Sequence, residues 1–247
     1  MIITHCIIMS SSYSKGARIA IDYCLKPTDT KEVLLERLNK ITDACGNDVS
    51  ISTHYIPTAS KSWTSVYKKD PFFEDVKLIN SIDTFIKLIQ KDRLLKGIDV
   101  AKYILSKVKC THLKLEKLVY LCYAEYLCQT GKRLFQDEIY AFKLGPVVES
   151  VYKIYKGYEK LPEEKEINSN GISEMPTKSR IMFAQLGLEK SFSIDKTLDK
   201  YSEYNASKLV DITHGNNTPW KMTYEENTKY KKILDETIIK FHKNEIL

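Results

Sequence analysis

The hydrophobic pattern changes character near Gly97. Before it, strand and helix periods are mixed; after it, the period is mostly helical. Residues 2–9 are a nearly continuous apolar run and predict a buried strand. Residues 17–25 place Ala17, Ala20, Ile21, Cys24 and Leu25 on one helical face, and Lys26-Pro27-Thr28-Asp29 ends that helix. A helix over 31–45 carries Val33, Leu34, Leu38, Ile41 and Cys45, with Gly46 as its stop. Residues 49–56 alternate as a half-buried strand. Residues 57–71 hold Pro57, Pro71 and several serines and read as a long loop, and 75–79 as a short strand. Ser81 caps a helix over 82–93 with Phe85, Ile86 and Ile89 inside.

Beyond Gly97, helices are predicted over 98–108 and over 113–130, the second capped by Thr111 and stopped by Gly131. Residues 139–144 form a short strand, which Gly145-Pro146 turns into a helix over 147–158, Pro suiting a first helical turn. Residues 161–177 are polar and read as a loop. Helical pattern resumes at Leu186–Phe192 and Asp195–Tyr204, then at Ser207–Thr213, and a final helix is predicted over 224–242. The expected fold is α+β. A small mixed α/β domain, 1–93, precedes a mostly helical domain, 98–247, with a short strand or hairpin.

Composition changes this picture little. In 247 residues, 43% are hydrophobic and 28% charged, an ordinary globular balance. The apolar runs are too short to span a bilayer. The N-terminus lacks a basic flank and is interrupted by His5, so it reads as strand rather than signal peptide, and the cytoplasm is the expected location. Six dispersed cysteines then read as reduced thiols. The net charge of +6 is spread out, 13 basic against 11 acidic residues in 1–93 and 25 against 21 beyond. A nucleic-acid binder concentrates such charge, so none is indicated.

Candidate chemistry is thin. Cys110-Thr-His112 lacks the tight Cys pair common in structural zinc sites, and no Gly-rich phosphate loop occurs. The expectation is no metal, no cofactor and no catalytic residue. Cys122 with His214 is a conceivable nucleophile–base pair, but neither lies on a predicted strained turn. Asp211-x-x-His214 with Trp220 looks the most catalytic; the structural reading is that Thr213 and His214 cap a helix end. The series Tyr120, Tyr123, Tyr126, Tyr140, Phe142, Tyr152, Tyr155 and Tyr158 fits a core with its rim, a protein interface, or base stacking. Trp63, Tyr67, Phe72 and Phe73 on the 57–71 loop and its flank are candidate partner contacts, or else plugs between the two domains.

An ordered set of motifs resembles one family. Lys117-Leu118-Val119-Tyr120 resembles its K-L-x-Y helix, and Thr130-Gly131 with Leu134-Phe135 its T-G-x-x-L-F step. Ala141 to Val147 resembles its A-W-x-x-G-P-V segment, with Phe142 for Trp and with Gly145-Pro146 in place. Val151-Tyr152 and Tyr155 to Tyr158 resemble the helix that follows, and Leu209, Thr213, His214, Pro219 and Trp220 the distal element. The family is the Panacea domain of SocA-like antitoxins, often phage-associated. The resemblance covers about 98–247 and implies an antitoxin that binds and neutralises a toxin encoded beside it. An adaptor delivering the toxin to a protease, and a DNA-binding autoregulator working through 1–93, are the alternatives. Residues 1–93 resemble no family.

Overall fold

The computed structural model describes residues 2–25, 31–156, 177–228 and 230–245. They form two compact units, Met1–Arg93 and Leu94–Leu247. No helix among them is long and apolar enough to cross a membrane.

The first unit is a four-stranded sheet with helices on both faces. Its strands are β1 (Ile3–Ser12), β2 (Ala17–Leu25), β3 (Ser52–Thr58) and β4 (Lys77–Leu78), in the order β3-β1-β2-β4. β1 pairs antiparallel with β2 and β3, and β2 pairs parallel with β4. Helices α1 (Lys31–Cys45) and α3 (Ile82–Arg93) cover one face, where Ile8, Ile19, Ile21, Ile41, Phe85 and Ile89 are buried together. The short α2 (Trp63–Lys69) and a 3₁₀ turn at Pro71–Phe73 cover the other, with Ile7, Met9, Ala20, Val66 and Phe73.

Two expectations are corrected here. Residues 17–25 are a strand, not a helix. Both faces of the sheet are covered, so Ala20 and Ile21 are both buried, and their nearness in sequence mimics a helical stripe. The Tyr13–Gly16 turn, with Gly16 at φ 55°, folds the segment back onto β1. Residues 57–71 are not a loop throughout. Ser62 caps α2 by accepting from Thr64 N, and Asp70 caps the 3₁₀ turn by accepting from Phe72 N. Seven residues show too little period to be read as a helix.

The second unit is built around one helix, α5 (His112–Thr130), whose residues 115–124 are all buried. Thr111 Oγ1 accepts from Lys114 N, and Gly131 ends the helix at φ 69°, a conformation glycine takes without strain. Around α5 lie α4 (Gly97–Leu105), α6 (Glu149–Tyr155), α7 (Thr177–Phe183), α8 (Gly187–Tyr201), α9 (Ala206–His214), α10 (Pro219–Thr223) and α11 (Asp235–Phe241). A hairpin of β5 (Ile139–Phe142) and β6 (Gly145–Val148) packs beside α5.

Gly145-Pro146 therefore belongs to a second strand and does not open a helix. Pro146 is tolerated because, among the described residues, β6 pairs only with β5, so its missing N–H costs no bond on the far side. The long final helix is also corrected. Residues 231–233 line up beside β5 instead: Ala141 N donates to Lys231 O, and Ile233 N donates to Ile139 O, each at 2.8 Å. Asn227 and Tyr230, at φ 64° and 61°, break the helical path before it. The expected loop at 161–177 and Tyr158 lie outside the described residues, except Thr177, which begins α7.

We propose that the two units fold independently. Expressed alone, residues 94–247 are expected to melt in one cooperative transition with a near-ultraviolet circular dichroism signal. A fragment lacking that signal would count against it.

Candidate functional site

The family-like positions converge where α5 meets the hairpin. Glu116 and Lys117 are adjacent on α5 and both are almost completely buried. Lys117 Nζ donates to Pro146 O at 2.7 Å, and Val148 N donates to Glu116 Oε2 at 3.2 Å. One helical turn thus supplies partners for two backbone groups of β6. Burial pulls the Lys117 ammonium down to about 7 and pushes the Glu116 carboxyl up to about 8, each opposed by the other's charge. Gly145 sits at φ 110°, and a Cβ there would lie 2.6 Å from Lys117 Nζ and 3.2 Å from Thr213 Oγ1. Glycine is required twice over, by its backbone angle and by the close approach of the amine.

The distal motif packs on the same hairpin. Thr218 caps α10 by accepting from Lys221 N, with Pro219 in its first turn. Trp220 is buried and its Nε1 donates to Phe142 O at 2.8 Å. Its ring stacks on His214 at 3.6 Å between centroids and on Tyr224 at 4.7 Å. Burial, then the charges of Lys117 and Lys221, push His214 down to about 4, so it is neutral near pH 7. Thr213 is fully buried, with its carbonyl accepting from Thr218 Oγ1 at 2.7 Å. Asp211 is exposed, and His214 spends its face on Trp220 rather than on a reacting group.

The remaining family-like positions also have packing roles. Leu118 is buried, and Phe135 lies 4.8 Å from the Tyr123 ring. Tyr155 is buried, whereas Phe142 and Tyr152 are half-buried. Phe142 makes edge-on contacts with Tyr152 and Tyr230, both at 5.4 Å, and Tyr140 touches Tyr230 at 5.7 Å. These four rings make a partly exposed aromatic patch.

Cys122 is fully buried and its thiol is driven far up by burial; Cys110 is pushed up to about 11 for the same reason. Neither is a ready thiolate. Of the loop aromatics, Phe73 is a correction. It is wholly enclosed in the α2 face, between Trp63 and Phe72, and has no surface to offer a partner. Trp63 and Tyr67 are half-buried against the same core. Phe72 remains exposed, with Arg18 4.2 Å from its ring centroid.

Sequence reasoning missed a second polar cluster. Tyr120 Oη donates to Glu245 Oε2 at 2.8 Å, and His242 Nδ1 lies 2.7 Å from the same oxygen. His242 Nε2 faces Glu125 at 3.8 Å, which Lys200 approaches at 3.2 Å and Tyr201 at 3.3 Å. Burial acts to lower His242, but the nearby Glu125 carboxylate and the hydrogen bond to Glu245 outweigh that and push it up to about 9. The ion pair with His242 pulls Glu125 down to about 2, while burial raises Glu245. Glu245 stands three residues from His242, but Glu125 belongs to a segment distant in sequence, and no spacing rule joins it to that pair.

The domain's buried polar groups thus brace its own backbone, and its rim is aromatic. Residues 115–221 match the family described as antitoxin SocA-like, Panacea domain, under half of the chain but containing every motif from Lys117 to Trp220. No curated protein and no solved structure matches the chain.

Two outcomes follow from this geometry. Gly145→Ala should cost about 2–4 kcal/mol, from the backbone angle and the clash with Lys117, and Trp220→Ala about 3–5 kcal/mol, both read by denaturant melts. Wild-type stability in either variant would refute the packing account. The second concerns pH. His242 is raised in the folded state, so its stabilisation is complete below about 6.5 and is lost as pH rises through about 9. Glu125 is lowered, so its contribution is complete above about 4.5 and is lost as pH falls towards about 2. His242→Gln should therefore flatten the decline in stability between pH 6.5 and 9 by up to about 3 kcal/mol. An unchanged slope would contradict the assignment.

Proposed function

We propose that this chain is an antitoxin that neutralises a protein toxin by direct binding, without catalysis, in the cytoplasm. The family match over 115–221 carries the reading. It is supported by how the second unit uses its polar groups: Glu116, Lys117, Glu245 and His242 are sealed in the core and bonded to backbone or to one another. The toxin is a protein encoded by an adjacent gene, and neutralisation needs no metal or cofactor.

The contact surface in this reading is the aromatic patch of Tyr140, Phe142, Tyr152 and Tyr230. Tyr gives broad contact area with few rotamers to freeze. Tyr230 is 52% exposed, and Leu144 and Ile154 add exposed apolar surface on the hairpin turn and on α6. Residues 1–93 form an accessory domain, where Trp63, Tyr67 and Phe72 offer a further contact.

Co-expression with the adjacent gene product tests this. Rescued growth and a co-purifying complex are expected. Tyr152→Ala and Tyr230→Ala should each weaken that complex at least about tenfold with little change in melting, while His214→Ala leaves binding largely intact. If the neighbour is harmless alone and no complex forms, the antitoxin reading fails. Unaltered affinity in both Tyr variants would remove the patch from it, and rescue with disappearance of the toxin would favour delivery to a protease.

A further inference from the structure

We propose that His5, Asp22 and Cys24, in the first unit, hold a zinc ion. The site is independent of the antitoxin reading and lies outside the matched segment. The three residues are brought together by strand pairing: His5 faces Cys24 across the β1–β2 ladder, and Ile7 faces Asp22 two pairs along. His5, Asp22 and Cys24 alternate onto the same sheet face, the one that α2 covers. One ligand atom from each lies within 4.8 Å of the other two. Separations of 17 and 19 residues hide this group from any motif search.

The hydrogen bonding around His5 shows what the group lacks. His5 is completely buried. Its Nε2 lies 2.9 Å from Ser60 O, a carbonyl that can only accept. The neighbouring Thr58 hydroxyl, 3.1 Å from Nε2, already donates to that carbonyl at 2.6 Å. Nε2 therefore carries a proton, and Nδ1 is the ring atom turned to Asp22 and Cys24. Nδ1 lies 2.7 Å from Asp22 Oδ2, a hydrogen bond that needs a proton between the two atoms, and 4.0 Å from Cys24 Sγ. Asp22 Oδ1 is also buried and without a hydrogen-bond partner among the described residues. A nitrogen, a carboxylate oxygen and a sulfur thus converge around one shared proton, which leaves the second carboxylate oxygen unsatisfied; a zinc ion that displaces this proton would bind all three. The Nε2–H···O=C bond is the outer contact that orients a metal-bound histidine.

The donor set selects the ion. One imidazole nitrogen, one carboxylate oxygen and one sulfur suit a borderline-soft, tetrahedral metal and disfavour magnesium or calcium, which take oxygen. Tetrahedral zinc with bonds of about 2.0–2.3 Å sets its ligands roughly 3.3–3.6 Å apart. Binding therefore needs Asp22 to move out from Nδ1 by several tenths of an ångström and Cys24 to move in. Cys24 is only partly buried, so the fourth position opens to water. A nucleophilic Cys–His–Asp arrangement is the competing chemistry. It fails because Cys24 and Asp22 address the same ring nitrogen, whereas a relay needs one on each.

The test uses the full chain, stripped of metal and dialysed against zinc chloride, with elemental analysis. About one zinc per chain is expected, held at micromolar or tighter affinity. Cobalt in its place should give a thiolate charge-transfer band, and zinc should shield Cys24 from alkylation in the intact wild-type chain, as read by peptide mass spectrometry. Cys24→Ser and Asp22→Asn should each lower affinity at least about tenfold, and Cys24→Ser should abolish the band. Cys128→Ser, at an exposed thiol in the other unit, should change neither. No bound zinc, an unprotected Cys24, or a cobalt band that survives Cys24→Ser in folded protein would overturn the proposal.

Discussion

The grip of two adjacent α5 side chains on one strand organises the second unit. Successive helical residues point about 100° apart, yet Glu116 and Lys117 both reach β6, one to Val148 N and the other to Pro146 O. Two ionisable groups at almost zero exposure are costly in isolation. The cost is offset because β6 is an edge strand inside the protein, and its outward backbone groups would otherwise be buried without partners. Gly145 then has to be glycine, because the amine occupies the space a side chain would need. Thr213 closes the other side of that space, which ties α9 to the hairpin.

The C-terminal segment closes the unit by similar means. Residues 231–233 extend the hairpin at β5, and beyond them Asp235 accepts from Tyr123 Oη at 2.8 Å and from Arg133 Nε at 2.7 Å. The last turn then ties to α5 through Tyr120, Glu245, His242 and Glu125. α5 thus takes polar partners from β6 and from the terminal segment, while its apolar side chains fill the core between. The tyrosines of α5 do double service. Each buries a ring and sends its hydroxyl to a carboxylate: Tyr120 to Glu245, Tyr123 to Asp235 and Tyr126 to Glu189. Catalytic groups are not needed to explain their number.

The first unit divides its labour by sheet face. The α1–α3 side is aliphatic, with Phe85 at its centre. The α2 side starts as apolar core at Ile7, Met9 and Phe73 and turns polar towards His5, Asp22, Thr58 and Ser65. Aromatic side chains that looked exposed on a loop serve that core, except Phe72, which rests under Arg18 at the surface.

What the sequence determined by itself was set by local rules. Helices 31–45, 82–93 and 112–130 were readable because each has one dominant stripe and a clear stop or cap, such as Ser81, Thr111 or Gly131. The motif series from Lys117 to Trp220 located the antitoxin-like domain because its residues keep their order along the chain. Only the tertiary structure decided that 17–25 is a strand, because burial on both faces erases the alternation that marks one. The same holds for 231–233, where the open edge of β5 outweighs a helical pattern that local propensity favoured. The polar clusters were illegible for one reason. Glu125 with His242 and Glu245, and His5 with Asp22 and Cys24, are made neighbours by packing and strand register, and neither follows from spacing along the chain.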